Sequence, residues 1–315
     1  MREALSVSPL GFGCAPVMGK VGRRAALAAF AEAFECGVRH FDVARSYGFG
    51  RAEGVLGEFL RDRRDRVTLA SKFGVVPGQL SWPKRLAMPL ARLVARASPG
   101  AGRGLRRQSA SLLSERDFSV AHARRCLETS LRELDTDYLD FYFVHEPLEA
   151  QLGEREALIA WLEQCVTAGK IRRWGMAYRA PADHAWAGAI PGDAVQAEGN
   201  LLTAADCVPL LTDPRQRFIT RPLGGGVSYL DLLTARVQAL PAALDTGLGP
   251  AELALAIARR LAGPGGTLVA AMFDAAHLRQ NVVALRALGA NTRAAALVDA
   301  LLATATRSTA EPLAA

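Results

Sequence analysis

Residues 119–145 read SVAHARRCLETSLRELDTDYLDFYFVH. Ser119 is a good helix N-cap, because its hydroxyl can accept a hydrogen bond from an amide of the first turn. From it Val120, Ala123, Leu127, Ser130 and Leu131 recur at helical spacing, which predicts a helix over 119–133 with one mostly apolar face. Leu139 to Val144 then forms a short, largely apolar run of the kind that reads as a strand, and His145 ends it. A helix leading into such a strand is one link of a repeating βα chain.

The same link recurs in both directions. Short apolar runs stand near Leu10 to Cys14 and at Val38 to Phe41, Val67 to Ala70, Arg173 to Met176, Ala194 to Gln196, Phe218 to Thr220 and Thr267 to Ala270. Helical patterns lie between them. Arg23 to Glu35 carries Leu27, Phe30 and Phe34, and Arg155 to Ala168 closes on Gly169. Further helices are expected at Pro181 to Gly188, Ala205 to Leu211, Ala251 to Leu261 and Ala275 to Leu285, with an alanine-rich one at Ala290 to Ala303.

Eight strands alternating with helices over about 300 residues predict an α/β fold, a (β/α)8 TIM barrel forming a single domain across 1–315. An open, doubly wound sheet is the alternative. It would usually place a third glycine after Gly11-Phe12-Gly13, and none stands at that offset. Two stretches break the rhythm: a long loop after the third strand, 77–116, and a tail, 304–315, expected to be flexible.

The net charge is +7, and its source is local. Between Pro77 and Ser114 stand seven basic residues and no acidic one, so the remainder is neutral. That basic loop reads either as an attractor of anionic substrates or as a solvated surface segment. It lacks the interleaved aromatics of a nucleic-acid site. No apolar run is long enough for a membrane helix. The five cysteines are scattered, with no C-x-x-C pair, as expected of reduced thiols in the cytoplasm.

The chemistry gathers at strand ends, where barrel enzymes keep their active sites. The second strand delivers Asp42, with Tyr47 five residues on (HFDVARSYG, 40–48); the third delivers Lys72 (LASKFG, 69–74); the fourth delivers His145. Singly, these read equally well as a helix cap, a packing tyrosine, a surface lysine and a core histidine. Jointly they describe carbonyl chemistry. A carbonyl taking up hydride needs a proton donor, and a tyrosine with its ordinary pKa near ~10 is a poor acid at neutral pH. An adjacent ammonium, Lys72 held by Asp42, would lower that pKa, and His145 would orient the carbonyl oxygen.

With its surrounding words, the quartet resembles the aldo-keto reductase family. HFDVARSYG is similar to the family's phrase around its Asp and Tyr; SLRELDTDYLDFYFVHEP (130–147) to its helix-to-histidine signature; and AGKIRRWGMA (168–177) to the approach to its fifth strand. The likeness runs from about residue 8 to 285. The DFS entering the helix and the VHEP closing the strand somewhat resemble the sugar dehydrogenase branch. By this resemblance Tyr47 is the acid or base, Lys72 its pKa modulator, Asp42 the partner of Lys72, and His145 the substrate orienter.

The resemblance also implies a nicotinamide cofactor, NADP(H) or NAD(H), and a small-molecule carbonyl or alcohol substrate, handled by a monomer or small homo-oligomer. Gly13, Asp42 and Gln196 (in AVQAEGNLL) fall on cofactor positions. ITRPLGGG supplies Arg221, Leu223, Gly224 and Gly225 for the pyrophosphate. The fifth strand departs from the family: Gly175-Met176-Ala177-Tyr178 stands where Gly-Val-Ser-Asn is usual, leaving Tyr178 or Asn200 to compensate. The adenosine end departs further. AAMFDAAHLRQN (270–281) offers Met272, Phe273, Asp274, His277 and Asn281 but no early cation, and Asp274 suits a free ribose hydroxyl better than a 2′-phosphate, with Arg279 as the residue able to rescue NADP(H). These departures leave room for a nucleotide-binding accessory barrel with reduced turnover. An isomerase or lyase using Lys72 as a Schiff base is a more distant alternative.

Overall fold

The protein is described by a computed structural model that covers residues 5–78, 115–238, 247–288 and 292–308. The strands are β1 (Leu10–Gly13), β2 (His40–Asp42), β3 (Thr68–Phe73), β4 (Leu139–His145), β5 (Ile171–Ala177), β6 (Ala194–Glu198), β7 (Gln216–Thr220) and β8 (Thr267–Ala270). They follow one another in chain order around a closed barrel in which β8 returns to β1. The pairs β3–β4, β5–β6, β6–β7, β7–β8 and β1–β8 are parallel. The (β/α)8 expectation holds, and closure of the sheet excludes the open alternative.

Between the strands lie the helices α1 (Arg23–Glu35), α2 (Ala52–Leu60), α3 (Val120–Leu134), α4 (Arg155–Thr167), α5 (His184–Ala187), α6 (Val227–Gln238), α7 (Pro250–Ala262), α8 (Ala275–Leu288) and α9 (Thr292–Ser308). The chain divides into two compact units, one of residues 14–31 and 41–172, the other of 1–13, 32–40 and 173–315.

In the first unit, Phe30, Phe41 and Phe59 pack with ring centroids 5.5–5.9 Å apart, and Phe73 stacks on Tyr142 at 5.0 Å. All seven residues of β4 are buried, as in a parallel strand covered on both faces. Helix α3 begins as its sequence dictates: the Ser119 hydroxyl accepts from the His122 amide at 3.2 Å. Helix α2 crosses α3 closely at Gly57, where a Cβ would come within 2.4 Å of the Glu133 carbonyl oxygen. In the second unit, Pro250 opens α7 at a position whose amide needs no partner. That helix buries Leu253, Leu255, Ile257 and Leu261.

Several local expectations are corrected. The stretch 205–211 is no α-helix; 3-10 turns stand at Leu201–Thr203 and Val208–Thr212. Pro209 lacks an amide to donate and disfavours helical backbone at the residue before it. The expected helix at 181–188 is a 3-10 turn, Pro181–Asp183, followed by the single turn α5. Helices α2 and α6 were not anticipated. The first holds two glycines, and the second starts directly after three. Helix α9 continues to Ser308, so 304–308 is helical rather than tail, while 309–315 lies outside the described residues.

The long loop after β3 has its base pinned. Val75 bridges antiparallel to Arg116, the Val76 amide donates to Glu115 at 2.9 Å, and the Asp117 amide donates to Gly74 at 2.9 Å. Residues 79–114, with all seven cations, lie outside the described residues. Among the described residues no helix is long and apolar enough to cross a membrane.

Candidate active site

The first unit carries Asp42, Tyr47, Lys72 and His145, and it brings them together. Lys72 sits next to the last residue of β3, is 1% exposed, and donates from Nζ to Asp42 Oδ1 at 2.5 Å and to the Val43 carbonyl at 3.0 Å. A buried ammonium persists only with partners of this kind. The chain after β2 is laid against β3, with the Val43 amide donating to Ala70 and the Arg45 amide donating to Lys72 at 3.1 Å. Tyr47 follows in a tight turn. The Lys72 ammonium lies 5.2 Å from its ring centroid, and the ring meets that of His145 edge-on at 5.8 Å.

The turn Tyr47–Gly50 has an unusual backbone. Gly48, Phe49 and Gly50 are all left-handed, with φ of 59°, 59° and 79°. For Phe49 that conformation costs roughly 1–2 kcal/mol. At Gly48 a Cβ would sit 2.4 Å from the Val17 carbonyl oxygen, so this step requires glycine.

The electrostatics differ from the sequence expectation in one respect. Tyr47 was expected to have a lowered pKa. Its phenol is instead held well above the usual value, by burial first, then by Asp42, Glu146 and Cys14. The physical reason is burial: a desolvated phenolate is disfavoured, and the nearby Asp42, Glu146 and Cys14 add to that. His145 is held well below the ordinary imidazole value, by burial first, then by Lys72 and Arg116. The site therefore holds a protonated phenol beside a neutral imidazole.

The sequence reading missed the support beneath this turn. Glu53 is fully buried; its carboxylate pairs with Arg45 and accepts from the Ser71 hydroxyl at 2.6 Å. Arg45 also donates to the Gly50 carbonyl. A glutamate in the first turn of a helix looks ordinary in sequence, and the only hint of its burial is that the next four residues, Gly54 to Gly57, are apolar or glycine.

The second unit carries the remaining candidates. Gly13 closes β1, where a Cβ would touch Val269 at 3.4 Å. Gln196 is buried in β6 in register with Ala177, and its carbonyl accepts from the Tyr178 amide at 2.8 Å. Tyr178 itself is buried. Its hydroxyl accepts from Arg215 at 3.4 Å, its ring meets His184, and burial pushes its pKa up to about 12. Asn200 caps the turn after β6, accepting from the Leu202 amide at 2.9 Å and donating to Glu198 at 3.1 Å. Both residues thought able to compensate for the fifth strand are thus engaged within their own unit.

After β7, Arg221 takes a left-handed backbone (φ 52°) and pairs with Glu198 at 3.1 Å. Leu223 precedes Gly224, Gly225 and Gly226, all with positive φ, ahead of helix α6. After β8, Met272 is buried, and Phe273 packs edge-on against Phe12 at 5.0 Å. Asp274 caps α8 by accepting from the His277 amide at 2.9 Å, and this bond holds its carboxyl below the usual range. Asn281 is buried. Arg279 donates to Glu32 at 2.7 Å.

Comparison with known proteins agrees with this architecture. The family model described as "Aldo/keto reductase family" matches residues 9–226. The chain belongs to the aldo/keto reductase family. Among curated aldo-keto reductases, "Probable aldo-keto reductase 1" of Glycine max is 28% identical over 212 residues, covering 64% of this chain and 50% of that protein. The chain spans half or less of the length of the first curated relatives it matches. Among solved aldo-keto reductases, the holo form from Bacillus halodurans superposes with a TM-score of 0.68 at 22% identity, covering 94% of this chain and 92% of that one. A Klebsiella pneumoniae enzyme in complex with NADPH gives 0.63 at 23%, covering 94% and 91%.

Proposed function

We propose that this chain is an oxidoreductase that reduces the carbonyl group of a small aldehyde or ketone, or oxidises the matching alcohol, with a nicotinamide dinucleotide as cofactor. The observation that carries the reading is the buried Lys72–Asp42 pair lying under a tyrosine that also meets a neutral histidine. A purely structural ion pair has no use for a protonated phenol and an uncharged imidazole beside it.

The chain's own residues then act as follows. Tyr47 keeps its proton until a carbonyl oxygen gains negative charge, and it donates that proton to the oxygen. His145, neutral, donates a hydrogen bond from its ring N–H to the same oxygen and fixes its orientation. Lys72 stabilises the phenolate left on Tyr47, and Asp42 keeps Lys72 charged and pointed. When bound, the reduced nicotinamide supplies the hydride that completes the two-electron reduction.

The residues present fit such a cofactor. Three successive glycines with positive φ precede α6, whose N-terminus presents backbone amides, which together suit a pyrophosphate, with the guanidinium of Arg221, paired to Glu198, beside them. Gly13, Asp42, Gln196, Leu223, Gly224, Gly225, Met272, Phe273, His277 and Asn281 are assigned to the same cofactor. Asp274 keeps a firm negative charge, and Arg279 is engaged with Glu32. A 2′-phosphate at that point would meet a carboxylate, whereas a ribose hydroxyl can donate to it. NADH is therefore expected to be accepted at least as well as NADPH.

The setting is a small-molecule enzyme of the cytoplasm, monomeric or a small homo-oligomer. All five cysteines are free thiols, which suits a reducing compartment. The test is consumption of NADH and of NADPH against a panel of aldehydes, ketones and aldoses. Turnover with at least one member, and kcat/KM for NADH no lower than for NADPH, is the expected result. No consumption with any member overturns the reading, and a strong NADPH preference overturns the part assigned to Asp274.

A further inference from the structure

Tyr47 stands at the head of a turn that the backbone alone would not hold. Three successive residues, Gly48, Phe49 and Gly50, are left-handed, and Phe49 is 40% exposed, so its side chain gains little from packing. Something must fix the turn, and the structure shows what does. Arg45, two residues before Tyr47, reaches across and donates to the carbonyl of Gly50, at the far end of the turn. The approach is close enough that a Cβ on Gly50 would lie 2.8 Å from the Arg45 guanidinium.

Arg45 is itself held from below. Its other nitrogen pairs with Glu53, whose side chain is completely buried in the first turn of α2. The second oxygen of Glu53 accepts from Ser71 at 2.6 Å, and Ser71 is the neighbour of Lys72 on β3. Side chains alternate along a strand. Lys72 therefore points to one face of β3 toward Asp42, while Ser71 points to the other face toward α2. The Arg45 amide adds a backbone link to the Lys72 carbonyl at 3.1 Å. One chain of bonds thus runs from the strand that carries Lys72, through a buried carboxylate and a guanidinium, to the end of the turn that carries Tyr47.

We propose that Arg45, Glu53 and Ser71 form a buried brace that sets the position of the Tyr47 hydroxyl relative to Lys72, making them positioning residues for proton transfer. The inference rests on the proposed role of Tyr47. Glu53 is the centre of the brace because it alone contacts both other members. Uncharged Gln at 53 keeps the size and one acceptor but loses the ionic grip on Arg45.

The experiment compares wild type with Glu53→Gln, Ser71→Ala and Arg45→Lys, each also in a Tyr47→Phe background. Glu58→Gln serves as a control on the outer side of the same helix, where Glu58 pairs with exposed Arg23. The expected result for Glu53→Gln is a fall in kcat of about tenfold or more, with KM for the carbonyl and Kd for NADH within about twofold, because misplacement of the proton donor costs rate rather than binding. Ser71→Ala and Arg45→Lys should show the same split to a smaller degree, and they stand in if Glu53→Gln does not fold. Hydrogen exchange of the amides in 45–51 should quicken in Glu53→Gln and not in Glu58→Gln. On top of Tyr47→Phe, Glu53→Gln should cost no further rate.

Wild-type turnover and exchange in Glu53→Gln would overturn the brace. So would a rate loss carried in full into the Tyr47→Phe background, or exchange that quickens throughout the protein, since either means that Glu53 does not act through Tyr47. If Tyr47→Phe itself kept wild-type turnover, the role of Tyr47 would fall. The exchange measurement separates that failure from failure of the brace.

Discussion

Strand β4 carries a buried ionisable residue at each end, and the two live in different surroundings. Near the start, Asp140 accepts from Arg64 at 2.8 Å, from the Leu69 amide at 2.9 Å and from Arg172 at 3.1 Å. The two guanidinium groups lie over the ring of Tyr138, at 3.9 and 4.4 Å. At the other end, His145 has no such saturation of charge. It is held neutral by burial and by the nearby cations, and it faces a tyrosine ring. Both residues are buried, so burial does not distinguish them; pairing does. A buried carboxylate matched on both oxygens fastens elements together. A buried group pushed off its ordinary pKa, next to another pushed the opposite way, is equipped to handle protons. In barrels the first belongs at the amino ends of the strands and the second at the carboxyl ends.

Mutations can break or sharpen this contrast. At the carboxyl end, Lys72→Met should lower turnover by roughly 10²–10³-fold while the protein stays folded, as measured by steady-state kinetics with circular dichroism on the same sample. At the amino end, Asp140→Ala removes the one carboxylate that two guanidinium groups and the Leu69 amide share. It should destabilise the fold by about 3 kcal/mol in urea unfolding, yet leave turnover per folded molecule within about twofold. If Asp140→Ala lost rate and Lys72→Met lost only stability, the division between the two ends would be wrong.

Smaller effects test the same account. The Asp213 carboxyl is held at about 2, through its bonds from Arg215 and His184 and against burial. Its folded value lies below the unfolded one, so its stabilising contribution is full above about pH 4 and is lost as pH falls toward about 2. Allowing for solvent screening, acid titration of the unfolding free energy should show on the order of 1 kcal/mol from this group, absent in Asp213→Asn. Ser119→Ala removes the α3 cap and should cost about 1 kcal/mol without altering KM. The smallest effect expected is none. Tyr47 is raised from its ordinary value near ~10 and His145 lowered from ~6.5, so the kcat of carbonyl reduction should stay level between about those two pH values. A break inside that window would place one of the two pKa shifts in the wrong direction.

Most of the barrel was readable because its strands are short apolar runs and because α3 announces its start with Ser119. The ionisable residues at strand ends were readable for the same reason: Lys72 and His145 interrupt apolar runs. What escaped depended on partners distant in sequence. Glu53 drew no reading from the sequence, because Ser71, 18 residues on, and Arg45 come to its buried carboxylate only in the folded chain. The pKa of Tyr47 was misjudged because a sequence lists charges without showing that the folded chain buries the phenol beside Asp42 and Glu146. Helices α2 and α6 were hidden by glycines, which lower helix propensity where tertiary packing overrides it. Tyr178 and Asn200, read as able to compensate for the fifth strand, bond in the structure to Arg215 and to the turn after β6.

The central claim is that the Tyr47 hydroxyl supplies the proton in a nicotinamide-dependent carbonyl reduction. The most direct test is the oxidation rate of NADH and NADPH by Tyr47→Phe beside wild type, at saturating cofactor and carbonyl, with cofactor saturation verified by fluorescence titration. The account predicts that both proteins saturate with cofactor alike and that the variant turns over roughly 10³-fold more slowly. Equal turnover by the two proteins, at equal cofactor occupancy, would contradict it.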